Sequence, residues 1–209
     1  FSAGLFFQLM FSGLLFLFMF FLIPDWIKTY SLNQNIAIFQ GDYIGIRSMA
    51  IFPASIFLMM QAYFLAKGKT YPVLIAAVLT ASLNILLDYS LIFGHFGFPE
   101  MGVKGAALAS TCSDLLGMLT MLCFFVLDKE HILTRLRFFK LKSLVNLLKI
   151  SSPIMLQGSL ALGTWTIFFI MLEQRGLFEL TVSQNIRSIY FLAFVPVWGF
   201  AGTTKTYIS

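Results

Sequence analysis

The chain has 209 residues, of which 59% are hydrophobic and 11% are charged, and its formal net charge is +5. A soluble domain needs a hydrated surface, and so few charged residues cannot supply one. The composition therefore excludes a soluble globular domain and predicts an integral membrane protein.

Six apolar stretches are long enough to cross a bilayer as helices, since about 30 Å of hydrocarbon takes roughly 20 helical residues. None shows the short alternating pattern of a transmembrane barrel strand, so the predicted fold is an all-α polytopic membrane protein with six transmembrane helices. In chain order, the predicted spans cover residues 3–23, 43–66, 71–93, 103–127, 148–172 and 178–203. Pro53, Pro153 and Pro196 lie within them and predict kinks.

The connections between these spans differ in their lysine and arginine content. The fourth carries six such residues and the second carries two, whereas each of the others carries one. Because positive residues favour the cytoplasmic side, the second and fourth connections and both chain ends are predicted to be cytoplasmic. The basic residues are thus explained by topology and by contact with anionic membrane lipids, and no nucleic-acid partner is expected.

The most polar segment, residues 128–148, separates four predicted spans from two. Its apolar and basic residues recur at helical spacing, which predicts an amphipathic helix on the inner membrane surface. We therefore predict part of a first lobe in residues 1–127, a cytoplasmic linker in 128–148, and the start of a second lobe in 149–209. The chain begins at Phe1 without an initiator methionine and enters a span at once, so we expect a piece of a longer protein.

Two polar pairs lie inside the third and fourth spans. Asn84 and Asp88 are one helical turn apart, and so are Ser110 and Asp114. An ionised aspartate in such a position costs roughly 2.5–3.5 kcal/mol on insertion scales, so it should face a partner or a water-filled cavity. A rise of about 1.5 Å per residue puts Asp88 at the depth of Ser110 and Asn84 at the depth of Asp114. The sequence therefore predicts that the four groups converge as a cation or proton site.

The fourth span also carries small residues at every fourth position: Gly105, Ala109, Ser113 and Gly117. Such a ridge lets another helix backbone approach closely. Helix packing alone would explain it, although packing does not exclude a function. For Asp88, a purely structural pairing, with Asn84 or with a helix outside this sequence, is the alternative to an ion site.

Further polar residues within the spans are candidates for lining a substrate cavity: Gln8, Gln61, Gln157 and Arg187. Arg187 has two interpretations, because it could snorkel outward or pair with Glu179, or it could contact an anionic substrate or lipid. Arg47 lies nearer a helix end and is interpreted as structural.

The run NILLDYSLIFGHFGFPEMGVKGAALAS, residues 84–110, resembles the multidrug and toxic compound extrusion (MATE) family. In that family, helices five and six carry N-x-x-x-D, then I-F-G, then P-x-x-G-V-x-G-A-A-x-A-T. The fourth family helix is matched by Tyr43, Arg47, Pro53, Gly68 and Thr70, the seventh by Pro153, and the eighth by Pro196 and Gly199. The resemblance implies helices three to eight of a twelve-helix, two-lobe transporter.

The resemblance also implies roles for the polar site. Asn84 and Asp88 match the family's first-lobe coupling residues, and Ser110 keeps the hydroxyl of a family threonine. Asp114 stands where a less acidic residue is expected, so its role is less firmly implied. Some members have a coupling glutamate where this chain has Ala161, so coupling through the first lobe is expected.

The expected function is secondary active export of amphipathic, often cationic compounds across the bacterial inner membrane by a monomer. The coupling ion would be H⁺ or Na⁺, with a sodium site at Asn84 and Asp88, and no other cofactor, metal or enzymatic activity is expected. One alternative is a lipid-linked saccharide flippase of the same superfamily, which would need a strongly basic cavity. A remote alternative is an intramembrane hydrolase built on Asp88 and Asp114, whose unequal depths argue against an acid dyad.

Overall fold

The computed structural model describes residues 2–30, 34–128 and 141–208, and every regular element in these ranges is helical. The helices are α1 (Ser2–Leu17), α2 (Ile23–Tyr30), α3 (Gln34–Ser48), α4 (Ile51–Ala66), α5 (Tyr71–Phe93), α6 (Val103–Leu127), α7 (Leu141–Glu173) and α8 (Leu177–Ile208). A π-helical turn, Phe18–Leu22, joins α1 to α2. The prediction of an all-α membrane protein is confirmed.

Four segments are long and apolar enough to cross a membrane as single helices: Gly4–Ile27, Tyr71–Phe93, Val103–Leu127 and Val145–Leu172. The consecutive helices α3 and α4 make a fifth candidate if they are counted as one bent span. The sixth predicted span, residues 178–203, forms a helix within α8, but α8 is not among the candidates found in the described residues. Its polar residues, among them Gln184 and Arg187, lower its hydropathy. The described residues therefore support four or five of the six predicted spans.

The fifth candidate span is broken between Ser48 and Ile51, where the axes of α3 and α4 differ by 51°. Pro53 explains this break, because a proline has no N–H to donate to the carbonyl four residues earlier, and its ring crowds that carbonyl. The kink predicted at Pro53 is thus confirmed. Helices α7 and α8 continue through Pro153 and Pro196 without a break, and the kinks predicted there stay predictions.

The chain divides into two compact units, Phe1–Leu147 and Leu148–Ser209. The first unit holds α1 to α6, and the second holds most of α7 together with α8. Within the predicted linker 128–148, residues 129–140 lie outside the described residues, and the chain from Leu141 onward belongs to α7. The amphipathic linker stays a prediction.

The packing of the first unit is centred on α6, which contacts α5 most extensively and also contacts α3 and α4. All four members of the predicted small-residue ridge on α6 are buried. A methyl group added at Gly105 would lie 2.5 Å from the carbonyl oxygen of Leu91, and one added at Gly117 would lie 2.8 Å from the Thr80 hydroxyl. The ridge therefore brings α5 and α6 to close backbone contact, as small residues do between membrane helices.

A short turn returns the chain from α5 to α6 and makes the two helices antiparallel neighbours. Gly94 ends α5 with a φ of +70°, a left-handed conformation that glycine adopts without strain. The Met101 amide donates to the Leu91 carbonyl at 2.9 Å, which holds the turn against the end of α5. This turn and the glycine contacts fix the register of α5 against α6, and so the position of each polar side chain along the helix axes.

Candidate functional site

The glycine contacts set the antiparallel register of α5 and α6. In this register, Asn84 lies near the level of Ser113 and Asp88 lies near the level of Ala109. The depths agree with those expected from the sequence, since Asn84 is level with the turn that carries Asp114. The two polar pairs thus occupy facing stretches of neighbouring helices.

A cavity of about 310 Å³ lies in the first unit, where α3, α4, α5 and α6 meet. Small-molecule sites span roughly 300–1,000 Å³, so this cavity is at the small end of that range. Its polar lining comes from all four helices and consists of Arg47, Gln61, Thr80, Asn84, Ser110, Ser113 and Asp114. The remaining lining is apolar and includes Phe57.

Three of the four predicted site residues line this cavity. The Asn84 amide Nδ2 lies 3.4 Å from the Ser110 hydroxyl, to which it donates a long hydrogen bond between α5 and α6. Asp114 is close by on α6, one turn beyond Ser110. Beside them, the buried hydroxyl oxygen of Thr80 has no hydrogen-bond partner among the described residues. The cavity therefore combines amide, hydroxyl and carboxylate oxygens, which are hard ligands suited to a proton or an alkali cation.

Asp88 is the predicted site residue that does not line the cavity. It continues the polar face of α5 one turn beyond Asn84, toward the Gly94 turn. Its Oδ1 atom is buried and has no hydrogen-bond partner within the described part of the chain. A buried carboxylate oxygen without a donor is costly, and a bound proton or cation would lower that cost.

Sequence reasoning interpreted Arg47 as structural but did not identify its partner. Its Nη1 donates to Asp114 Oδ2 at 2.8 Å, an ion pair between α3 and α6. The two side chains are 32% and 22% exposed, so the pair is largely shielded from solvent. The sequence does contain a signal for this contact. Both residues carry a charge inside apolar segments, where a charge needs a partner.

The four predicted substrate-cavity candidates fall in different places. Gln61 lines the same cavity as Arg47 and Asp114. Gln8 is half-buried on α1, and Gln157 is exposed on α7. Arg187 belongs to the second unit, where its guanidinium lies 4.7 Å from the centre of the Phe169 ring.

Around Arg187, a second cavity of about 360 Å³ has mainly aromatic walls. Trp165, Phe168, Phe169 and Tyr190 contribute rings, and Ser183 contributes a hydroxyl. The guanidinium lies over the Phe169 ring, and no ion pair with Glu179, one of the alternatives for Arg187, is formed among the described residues.

A separate charged cluster holds the ends of α4 and α6 together. Lys69 contacts Asp128 Oδ1 at 3.0 Å, and Lys67 contacts Asp128 Oδ2 at 3.1 Å. The Tyr63 hydroxyl also donates to Asp128 Oδ2, at 3.2 Å. The hydrogen bonds from Lys69 and Lys67 hold the pKa of this carboxyl well below its usual range. Asp128 thus links the ends of α4 and α6 through ion pairs, and it does not line the cavity.

Among the described residues, no group of three or more His, Cys, Asp or Glu side chains is placed to hold a metal ion. A sodium site at Asn84 and Asp88 would draw on amide and hydroxyl oxygens as well, so it stays a prediction.

Residues 1–90 match the MatE family model. Curated relatives named "Probable multidrug resistance protein NorM" are 43% identical over 85 residues in Rhizobium meliloti strain 1021 and 40% identical over 87 residues in Thermotoga maritima. The relative of the same name in Bacillus subtilis strain 168 is 30% identical over 131 residues.

These matches cover 41%, 42% and 59% of this chain, and 18%, 17% and 28% of the three relatives in the same order. The chain thus matches between a sixth and about a quarter of the length of each relative. No solved structure matches the chain significantly.

Proposed function

We propose that this chain, whose residues 1–90 match the MatE family model, forms part of a secondary active multidrug exporter. The name that its relatives carry, multidrug resistance protein, supports this proposal. The observation that carries it is the cavity in the first unit, where Arg47, Asn84 and Asp114 meet among apolar helices. Charged and amide groups in such a position typically belong to an ion or substrate pathway.

In this proposal, an inward-moving H⁺ or Na⁺ binds at Asn84, Asp88, Ser110 and Asp114. Two geometric features support that role: the buried unpartnered oxygen of Asp88 and the cluster of oxygens around Asn84. Binding of the ion changes the charge between α5 and α6, and so favours one helix arrangement over another. Exchange between the arrangements would drive export in alternating access.

The exported compounds would be amphipathic and often cationic. Gln61 supports a substrate contact because it lines the cavity. Gln8, Gln157 and Arg187 are proposed as contacts elsewhere on the pathway. The exporter would act as a monomer in the cell membrane, in contact with its lipids, and both ends of this segment would be cytoplasmic.

The structure favours neither alternative function. A saccharide flippase would need a strongly basic cavity, whereas the one arginine lining this cavity is paired with Asp114. A hydrolase would need Asp88 and Asp114 to act together, but Asp114 contacts Arg47 and Asp88 does not line the cavity.

The proposal is tested by the efflux of a fluorescent cationic dye from vesicles that contain the full-length protein. Wild type and Asp88→Asn are compared under separately imposed proton and sodium gradients. Asp42→Asn is the matched control, because Asp42 contacts Lys104 at 3.1 Å in an exposed ion pair outside the cavity.

We expect one gradient to drive export by wild type and by Asp42→Asn, and we expect Asp88→Asn to lose that export at equal expression. Unchanged export by Asp88→Asn would remove this carboxylate from the mechanism. Absence of export by wild type under both gradients would contradict the proposed function itself.

A further inference from the structure

The break between α3 and α4 lies directly beside the cavity. Arg47 is in the last turn of α3, just before the break, and Phe57 and Gln61 are on α4, six and ten residues after its first residue. All three side chains line the cavity. A change in the angle between α3 and α4 would therefore change the shape of the cavity.

Among the described residues, two ion pairs connect α3 to α6, and they differ in their surroundings. The Arg47–Asp114 pair lines the cavity, and its side chains are 32% and 22% exposed. In the Lys104–Asp42 pair the corresponding values are 51% and 36%, and neither residue lines the cavity. Solvent screens the second pair more strongly, so the first pair holds α3 more firmly against α6.

The Arg47–Asp114 contact is also the one that a cation entering the cavity would disturb. A proton or metal cation on the Asp114 carboxylate removes the charge that attracts the guanidinium. Arg47 then still lies in the last turn of α3, where the helix dipole favours a positive charge. Once Asp114 is neutralised, displacing the Arg47 side chain therefore costs less free energy than leaving it in the cavity without a counter-charge.

Few other charged groups share this region. From α5, the nearest is Asp88, which lies outside the cavity lining. From α4, the polar side chain that lines the cavity is the neutral Gln61. From α3 itself, Asp42 is engaged by Lys104 of α6. Asp114 is thus the carboxylate in the cavity lining on which the position of Arg47 depends.

We propose that Arg47 is a positioning residue that acts through Asp114: their ion pair holds α3 against α6 at the break, and a cation on Asp114 releases α3. The inference rests on the proposed function only for the nature of that cation, H⁺ or Na⁺. It identifies a helix whose position would change on ion binding, namely α3, the first helix of the bent pair α3 and α4.

The experiment measures the distance between spin labels on α3 and α6 by pulsed electron spin resonance. Labels replace Phe39 and Leu119, whose side chains are 54% and 52% exposed, in the full-length protein without other cysteines. We expect Asp114→Asn and Arg47→Gln to lengthen and broaden the distance distribution. Arg47→Lys, which keeps the positive charge, should restore the wild-type distribution.

Raising the concentration of H⁺ or Na⁺ should produce the same lengthening in wild type. It should have no further effect in Asp114→Asn, because that variant has already lost the charge. Asp42→Asn, the matched control on the same two helices, should keep the wild-type response to the ion.

Each outcome decides the inference. An Asp114→Asn distribution identical to that of wild type would show that the pair does not hold α3. A wild-type distance that responds to neither ion would contradict release, even where gradient-driven export is intact. An ion-dependent distance in a protein that exports nothing under either gradient would support the inference and contradict the proposed function.

Discussion

Replacement of Gly105 by alanine tests the close packing that positions the site. The added methyl group would lie 2.5 Å from the carbonyl oxygen and 2.7 Å from the carbonyl carbon of Leu91, whereas ordinary contacts begin at 3.4 Å. The two helices would have to separate by about 0.9 Å at this point. The obstacle is backbone, so no side-chain rotation can relieve it.

The expected loss of stability follows from two opposing effects. Overpacking a close contact costs about 1–3 kcal/mol, and alanine gains about 1 kcal/mol over glycine in a helix. Because backbone atoms must move, we expect a net loss of about 1–2 kcal/mol for Gly105→Ala. The long hydrogen bond between Asn84 and Ser110, at 3.4 Å, should break as the helices separate.

The assay is thermal unfolding of the full-length protein in detergent, followed by tryptophan fluorescence. Gly158→Ala is the matched control, since a methyl group added there would meet no heavy atom within 4 Å. We expect the control to be as stable as wild type or slightly more stable, and Gly105→Ala to unfold at a lower temperature. Equal stability of the two variants would refute the packing argument.

Two further changes test the ends of the helices. Asp128→Asn should lower the unfolding temperature at pH 7, because it removes the contacts with Lys67 and Lys69. Since the pKa of this carboxyl is lower in the folded protein than in the unfolded chain, its contribution is complete above about pH 4 and is lost as the pH falls further. Wild type and Asp128→Asn should therefore differ as much at pH 5 as at pH 7 in an unfolding series, and a difference that disappears by pH 5 would contradict this account. Gly94→Ala should destabilise more than Gly68→Ala, because both have a φ near +70° but only the first would also meet backbone atoms, at 3.0 Å, and equal unfolding temperatures would argue against the clash.

Parts of the candidate site could be predicted from residue spacing. The i to i+4 pairs on α5 and α6 put polar groups on one face of each helix, and the short connection made these helices neighbours. Asn84 and Ser110 accordingly contact each other. The spacing could not show that the cavity ends before Asp88, because the position of α3 and α4 decides which turns of α5 remain open.

The sequence by itself determined that this is a helical membrane protein and that α5 and α6 pack closely. Both conclusions rest on local properties, namely the length of apolar runs and a glycine, alanine and serine ridge at helical spacing. Only the tertiary structure decided that Arg47 is the partner of Asp114, 67 positions away along the chain. Helical periodicity specifies which residues share a face, whereas the arrangement of the other helices decides what that face meets. The break before Pro53 turns α3 so that Arg47, in its last turn, reaches α6. A charge in an apolar environment strongly favours a partner of opposite charge.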